Sequence, residues 1–92
     1  MNKQFDKNEL INIFSKIGSN KKLLQDFLSD LLSSREFAEL VQRWQIVKEL
    51  DSGATQREVA RKLKTTVVTI NRGARMLNNP SGGFNQILRK LG

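Results

Sequence analysis

Gln56-Arg57-Glu58-Val59-Ala60-Arg61-Lys62-Leu63-Lys64-Thr65-Thr66-Val67-Val68-Thr69-Ile70-Asn71-Arg72-Gly73 is the stretch that decides the fold. Thr55-Gln56-Arg57-Glu58 is a capping box, and it starts a short helix running to about Leu63. Lys64-Thr65-Thr66 is a tight connection, with Thr66 placed to cap a second helix from about Val67 to Leu77. Val67-Val68-Thr69-Ile70 is β-branched and in isolation passes for a strand. Four residues between helical neighbours make a poor strand, so a helix is expected there.

Counted from Gln56 as position one, Val59 and Ala60 stand at four and five, Leu63 at eight, Ile70 at fifteen and Gly73 at eighteen. This is helix-turn-helix spacing. Val59, Leu63 and Ile70 form a small shared core, and Ala60 faces the second helix, where a larger side chain would hold the two apart. Position nine, which favours Gly because it needs positive φ, is Lys64. The plainer alternative is an ordinary helical hairpin with a polar exterior. In a helix-turn-helix the second helix enters a major groove while the first crosses the backbone. On that reading Val67, Val68, Thr69, Asn71 and Arg72 lead the reading helix. Val and Thr methyls can meet thymine methyls, Asn71 can pair with adenine, and Arg57 or Arg72 with guanine. Gln56, Arg61, Lys62, Lys64 and Arg75 are placed to meet phosphates.

The charge distribution supports this. The chain of 92 residues carries a formal net charge of +7. Residues 1–51 hold eight basic and eight acidic side chains, whereas residues 52–92 hold eight basic ones against Glu58 alone. A neutral half joined to a basic half suggests a scaffold carrying a surface for a polyanion, foremost nucleic acid.

Outward to the N-terminus, three more helices are predicted. Asp6-Lys7-Asn8-Glu9 reads as a capping box, followed by Leu10, Ile13, Phe14 and Ile17 at helical spacing and Gly18 as a stop. Asn20 caps a second helix with a stripe of Leu23, Leu24, Phe27, Leu28, Leu31 and Leu32. Ser33-Ser34-Arg35-Glu36 opens a third, with Phe37, Leu40, Val41, Trp44, Val47 and Leu50 inward, closed by Asp51-Ser52-Gly53. Outward to the C-terminus, Asn78-Asn79-Pro80-Ser81-Gly82-Gly83 is turn chemistry, and a last helix carries Phe84, Ile87, Leu88 and Leu91. The apolar stripes fit either a monomeric bundle or an intertwined dimer core. A chain this short buries only about two-thirds of its unfolded surface alone, which favours the dimer.

Composition excludes much else. With no Cys and no His, disulfides, thiol nucleophiles, thiolate metal sites and imidazole chemistry are ruled out, and Tyr is also missing. No enzyme is expected. No apolar run approaches the ~18–20 residues of a membrane span, and Met1-Asn2-Lys3-Gln4-Phe5-Asp6 has no apolar leader core. A soluble, cytoplasmic protein of one domain is expected, with residues 1–51 as helical dimerisation core, 55–77 as helix-turn-helix and 84–91 as C-terminal helix.

Arg43-Trp44-Gln45-Ile46-Val47-Lys48-Glu49-Leu50, Gly53, Thr55-Gln56-Arg57-Glu58-Val59 and Thr69-Ile70-Asn71-Arg72-Gly73 together resemble the tryptophan repressor family. The resemblance covers about residues 30–78, and the order of six helices agrees over nearly the whole chain. It implies an all-α, intertwined homodimer that binds double-stranded operator DNA as a transcriptional regulator, with L-tryptophan as corepressor and no other cofactor. It also implies ligand residues. Arg43 and Arg72 would flank the indole and help hold the carboxylate, Ser33 stands where the family has a carboxylate-binding Thr, and Gly73 would leave room for the ring. Close packing against the third helix is the alternative role for Gly73.

The chain departs from the family's founding branch in several places, among them the connection Gly53-Ala54-Thr55, which is one residue shorter. Met76 replaces a Ser near the ligand ammonium, and Ala60 replaces a Lys that approaches DNA. Asn79-Pro80-Ser81-Gly82-Gly83-Phe84 looks more like a shorter branch of the superfamily. The effector is therefore open between tryptophan and another ligand or none. A different class also stays open, a DNA-reading module of a transposition or recombination machine. In the dimer, two reading heads about 34 Å apart would call for a palindromic operator.

Overall fold

The computed structural model describes residues 6–92, and Met1–Phe5, read above as lacking a leader and as the start of the dimer core, lie outside them. Six helices follow in order: α1 (Lys7–Ile17), α2 (Lys21–Leu31), α3 (Ser34–Asp51), α4 (Gln56–Leu63), α5 (Val67–Leu77) and α6 (Gly83–Leu91). The described residues contain no strand, so the all-α expectation holds, including the β-branched run opening α5. They form two compact units, one ending at Phe37 and one running from Ala38 to Gly92.

In the first unit the helix ends are set by side chains. The Asp6 carboxylate accepts from the Asn8 and Glu9 N–H groups at 3.0 and 3.3 Å, and the Asn20 side chain accepts from Leu23 N–H at 3.1 Å. Gly18, at φ +57°, ends α1 in a conformation that favours glycine. Phe14 and Phe27 meet edge to face, with centroids 5.5 Å apart. Ser33 and Glu36 form the predicted box, each side chain holding the other's backbone N–H at 2.9 and 3.1 Å.

The apolar stripes are where expectation and structure part. Of the first-half stripe residues within this unit only Ile17 is buried, while Leu10, Ile13, Phe14, Leu23 and Leu31 are exposed. Leu32 does not extend α2 but caps it in an extended conformation. A stripe several residues wide is broader than one neighbouring helix can cover, so within a single chain part of it faces outward.

The second unit has the better-formed core. Ile46, Val59, Ala60 and Ile70 are buried together, with Leu50, Ala54 and Leu63 packed around them. Of the predicted inward row of α3, Val47 is buried and Leu50 packs on the core beside Ile46, which is not in that row, whereas Leu40 and Val41 stay 42 % and 47 % exposed. Two rows compete on one helix, and the spacing alone does not say which faces the helix-turn-helix. Trp44 and Phe37, also predicted inward, are half-buried.

The Thr55 box is reciprocal, with Thr55 N–H donating to Glu58 at 2.8 Å and Glu58 N–H to Thr55 Oγ1 at 3.1 Å. Lys64 takes the left-handed conformation at φ +54°, as the turn position requires, and Thr65 N–H closes on Ala60 C=O at 3.0 Å. Thr66 then caps α5 by accepting from Thr69 N–H at 3.2 Å. The turn after α5 is fastened by α6. Asn85 Nδ2 donates to the Leu77 and Asn79 carbonyls at 3.0 and 2.8 Å, and Arg89 donates to Pro80 C=O at 2.9 Å. These bonds satisfy carbonyls that the end of α5 would otherwise leave open.

Candidate nucleic-acid interface

Ile70, fully buried, and Val59 fix α5 against α4, so the opposite face of α5 is held outward. Val68 is 83 % exposed at the start of that face. A large β-branched side chain held in water at a helix start lowers stability in isolation and suits contact with another apolar surface. Val67, Asn71 and Arg72 are exposed beside it, as are Arg57, Arg61 and Lys64 on α4 and its turn. The first turn of α5 carries no acidic residue, so nothing there opposes a phosphate.

Two predicted contact residues are already engaged, and a third is half-buried. Lys62 Nζ is 2.9 Å from Glu49 Oε2 of α3, so this ammonium has an internal partner. Thr69 Oγ1 lies 3.1 Å from Thr66 Oγ1, within the α5 cap. Gln56 opens α4 half-buried. The pKa of the Glu58 carboxyl lies below its ordinary value of 4.5, chiefly because Thr55 N–H and then its hydroxyl hold the carboxylate. The one acid of the basic half is thereby tied into a cap.

Behind the reading face lies a cleft of about 350 Å³, within the size range of small-molecule sites. Helix α3 lines it with Arg43, Ile46 and Val47, and α6 adds Phe84. Helix α5 contributes Val68, Thr69, Arg72, Gly73, Arg75 and Met76. The structure thus brings Arg43, Arg72 and Gly73 to one cleft, whereas Ser33 caps α3 in the other compact unit and is not among its lining residues. A Cβ on Gly73 would come within 3.2 Å of Ile46 Cγ2 and 3.8 Å of Val47 Cγ2. Close packing on α3 therefore favours a residue without a side chain there whether or not a ligand is present.

Sequence reasoning missed Phe84 and gave Arg75 to DNA alone. The spacing of Arg72, Arg75 and Met76 at i, i+3 and i+4 carries a signal for the latter, since these positions share a face. Nothing in the local pattern marks Phe84, because its place depends on the turn that brings α6 back to α5.

No helix of the described residues is long and apolar enough to cross a membrane. Residues 6–92 match the family model described as Trp repressor protein. The chain is 35% identical over 71 residues to a Trp operon repressor homolog of Chlamydia trachomatis serovar L2, covering 76% of each protein. It is 34% identical over 76 residues to a Trp operon repressor homolog of Haemophilus influenzae strain PittEE, covering 82% of this chain and 75% of that protein. No solved structure matches it significantly. A complete helix-turn-helix, a cationic reading face and a match along the whole described chain converge, and the protein belongs to the Trp repressor family of non-enzymatic, DNA-binding regulators.

Proposed function

We propose that the chain is a cytoplasmic, homodimeric repressor that reads a palindromic operator and is set by a small carboxylate bound in the α3–α5 cleft. The observation that carries this reading is that one cleft is lined both by Arg43 of the supporting helix and by Val68, Thr69 and Arg72 of the reading helix. A ligand lodged there touches core and reading head together, so it stabilises one angle between them and selects the DNA-competent state. Arginine forks suit a carboxylate, and guanidinium faces attract an aromatic ring. L-tryptophan is the first candidate, as the relatives' names indicate. On this reading Arg57, Arg61, Lys64, Val67, Val68, Asn71 and Arg72 face the duplex.

Dimerisation is supported by the apolar residues left uncovered on one chain, among them Leu23, Leu31, Leu40 and Val41. A second copy would remove them from water. Residues 1–51 would then be the dimer core, 55–77 the reading head and 84–91 its buttress.

The test is calorimetric titration with L-tryptophan, coupled to anisotropy of duplexes selected from a random pool, with sedimentation for the mass. Ligand-dependent tightening on palindromic sites by a dimer is expected. Ligand-independent binding by a monomer would overturn the reading. A second reading, a different effector at the same cleft, is favoured by Met76, which puts a thioether where the founding branch has a hydroxyl.

A further inference from the structure

The leading turn of α5 has almost no polar chemistry to offer a base. Val67 to Ile70 include no charged residue. Ile70 is fully buried in the core, while Val68 is 83 % exposed and Val67 50 %. The hydroxyls beside the two valines are already used. Thr66 Oγ1 accepts from Thr69 N–H at 3.2 Å and lies 3.1 Å from Thr69 Oγ1. The exposed Asn71 and Arg72 follow Val68 by three and four residues, so they share its face one turn on.

An apolar tip entering a major groove has one apolar feature to meet, the methyl group on C5 of thymine. Cytosine lacks that methyl and presents an amino donor instead. Val68 has no acceptor for it, so a cytosine there would have its donor stripped of water and left unpaired. 5-Methylcytosine carries the same methyl at the same ring position as thymine.

Resting on α5 as the reading helix, and on nothing that the cleft binds, we infer that Val68 reads C5-methyl groups. Thymine is the base it selects, and 5-methylcytosine substitutes in part for thymine at that position, whereas unmethylated cytosine does not. Asn71 and Arg72 are left to read polar base edges.

Duplexes selected by the full-length chain from a random pool, with and without L-tryptophan, supply the site. Fluorescence anisotropy at one fixed salt concentration supplies the affinities. Each thymine is replaced in turn by deoxyuridine, which removes the methyl alone. At the position Val68 meets, affinity is expected to fall about fourfold, the weight of one buried carbon. Cytosine there binds more weakly still, and 5-methylcytosine recovers about fourfold of that loss. Val68→Ala, which favours the helix, should cut the deoxyuridine penalty to below about twofold. Its salt slope should match wild type, because no phosphate contact is lost. Asn71→Ala should weaken binding and keep the penalty, which separates methyl reading from a general loosening of α5.

A site whose thymines all tolerate deoxyuridine overturns the methyl reading. A penalty that Val68→Ala leaves intact belongs to another side chain and overturns the role of Val68. 5-Methylcytosine binding no better than cytosine overturns the substitution. Each of these results leaves α5 standing as the reading helix. If no duplex is selected in either condition, α5 is not a reading helix, and the methyl reading falls with it.

Discussion

Gly73→Ala sets two effects of known direction against each other. An alanine in the middle of α5 gains about 1 kcal/mol of helix propensity over glycine. Its Cβ, however, would sit 3.2 Å from Ile46 Cγ2, with Leu50 Cδ1 at 4.0 Å behind. Ile46 is 2 % exposed and held by Val59, Ala60 and Ile70, so it has little room to withdraw. Overpacking of this kind costs about 1–3 kcal/mol, so the variant should lose about 0–2 kcal/mol. Ile46→Leu keeps the volume and deletes the β-branch methyl that makes the contact, at a cost below about 1.5 kcal/mol. In that background Gly73→Ala should stabilise by about 1 kcal/mol. The assay is urea unfolding of the four proteins at one fixed concentration, because association would shift the midpoints. With slopes of about 1–3 kcal/mol/M, the sign change appears as a midpoint shift of about 0.5 M. Equal effects of Gly73→Ala in both backgrounds would refute close helix packing as the reason for glycine here.

Lys64→Gly relieves the left-handed turn and should raise stability by about 1 kcal/mol in urea. If Lys64 meets a phosphate, the same variant flattens the salt slope of DNA binding by about 0.9. Glu49→Gln releases Lys62 from its 2.9 Å ion pair. Stability should change by less than about 1 kcal/mol, while binding to mixed-sequence duplex tightens and its salt slope steepens, as measured by fluorescence anisotropy. The pKa values of the Glu36 and Glu58 carboxyls both lie below the ordinary 4.5, held down first by the backbone N–H groups of Ser33 and Thr55 and then by their hydroxyls. Because the folded values are depressed, their stabilisation is complete above 4.5 and is lost as pH falls through the lowered values. Urea midpoints should therefore drop as pH falls below about 4.5 and through the lowered values, and Glu36→Gln with Glu58→Gln should flatten that drop.

Much of the second unit was legible because its signals are local. The Thr55 box, the Thr66 cap and the spacing of Val59, Ala60 and Ile70 each act within a few residues, and the structure forms all of them. Even the unfavourable Lys64 was readable, since position nine demands its conformation whatever residue stands there. The face of α3 was legible only in part, through Val47 and Leu50. Leu40, Val41 and Trp44 read as well inward as Ile46 does, and the choice is made by which row meets Val59 and Ile70, a long-range fact. The cleft was half legible. Arg43 and Arg72 came from the family resemblance and Gly73 from its spacing, whereas Phe84 reaches the cleft only through the turn that Asn85 and Arg89 fasten. Lys62 illustrates the same limit, because its partner Glu49 is thirteen residues away in the chain.

The central claim is that the basic second half is a surface for duplex DNA, and the salt dependence of binding tests it most directly. If about six phosphates are neutralised, log K plotted against log salt for a mixed-sequence duplex should fall with a slope near −5. Arg61→Ala should reduce its magnitude by about 0.9. A slope near zero, in wild type and variant alike, would contradict the account.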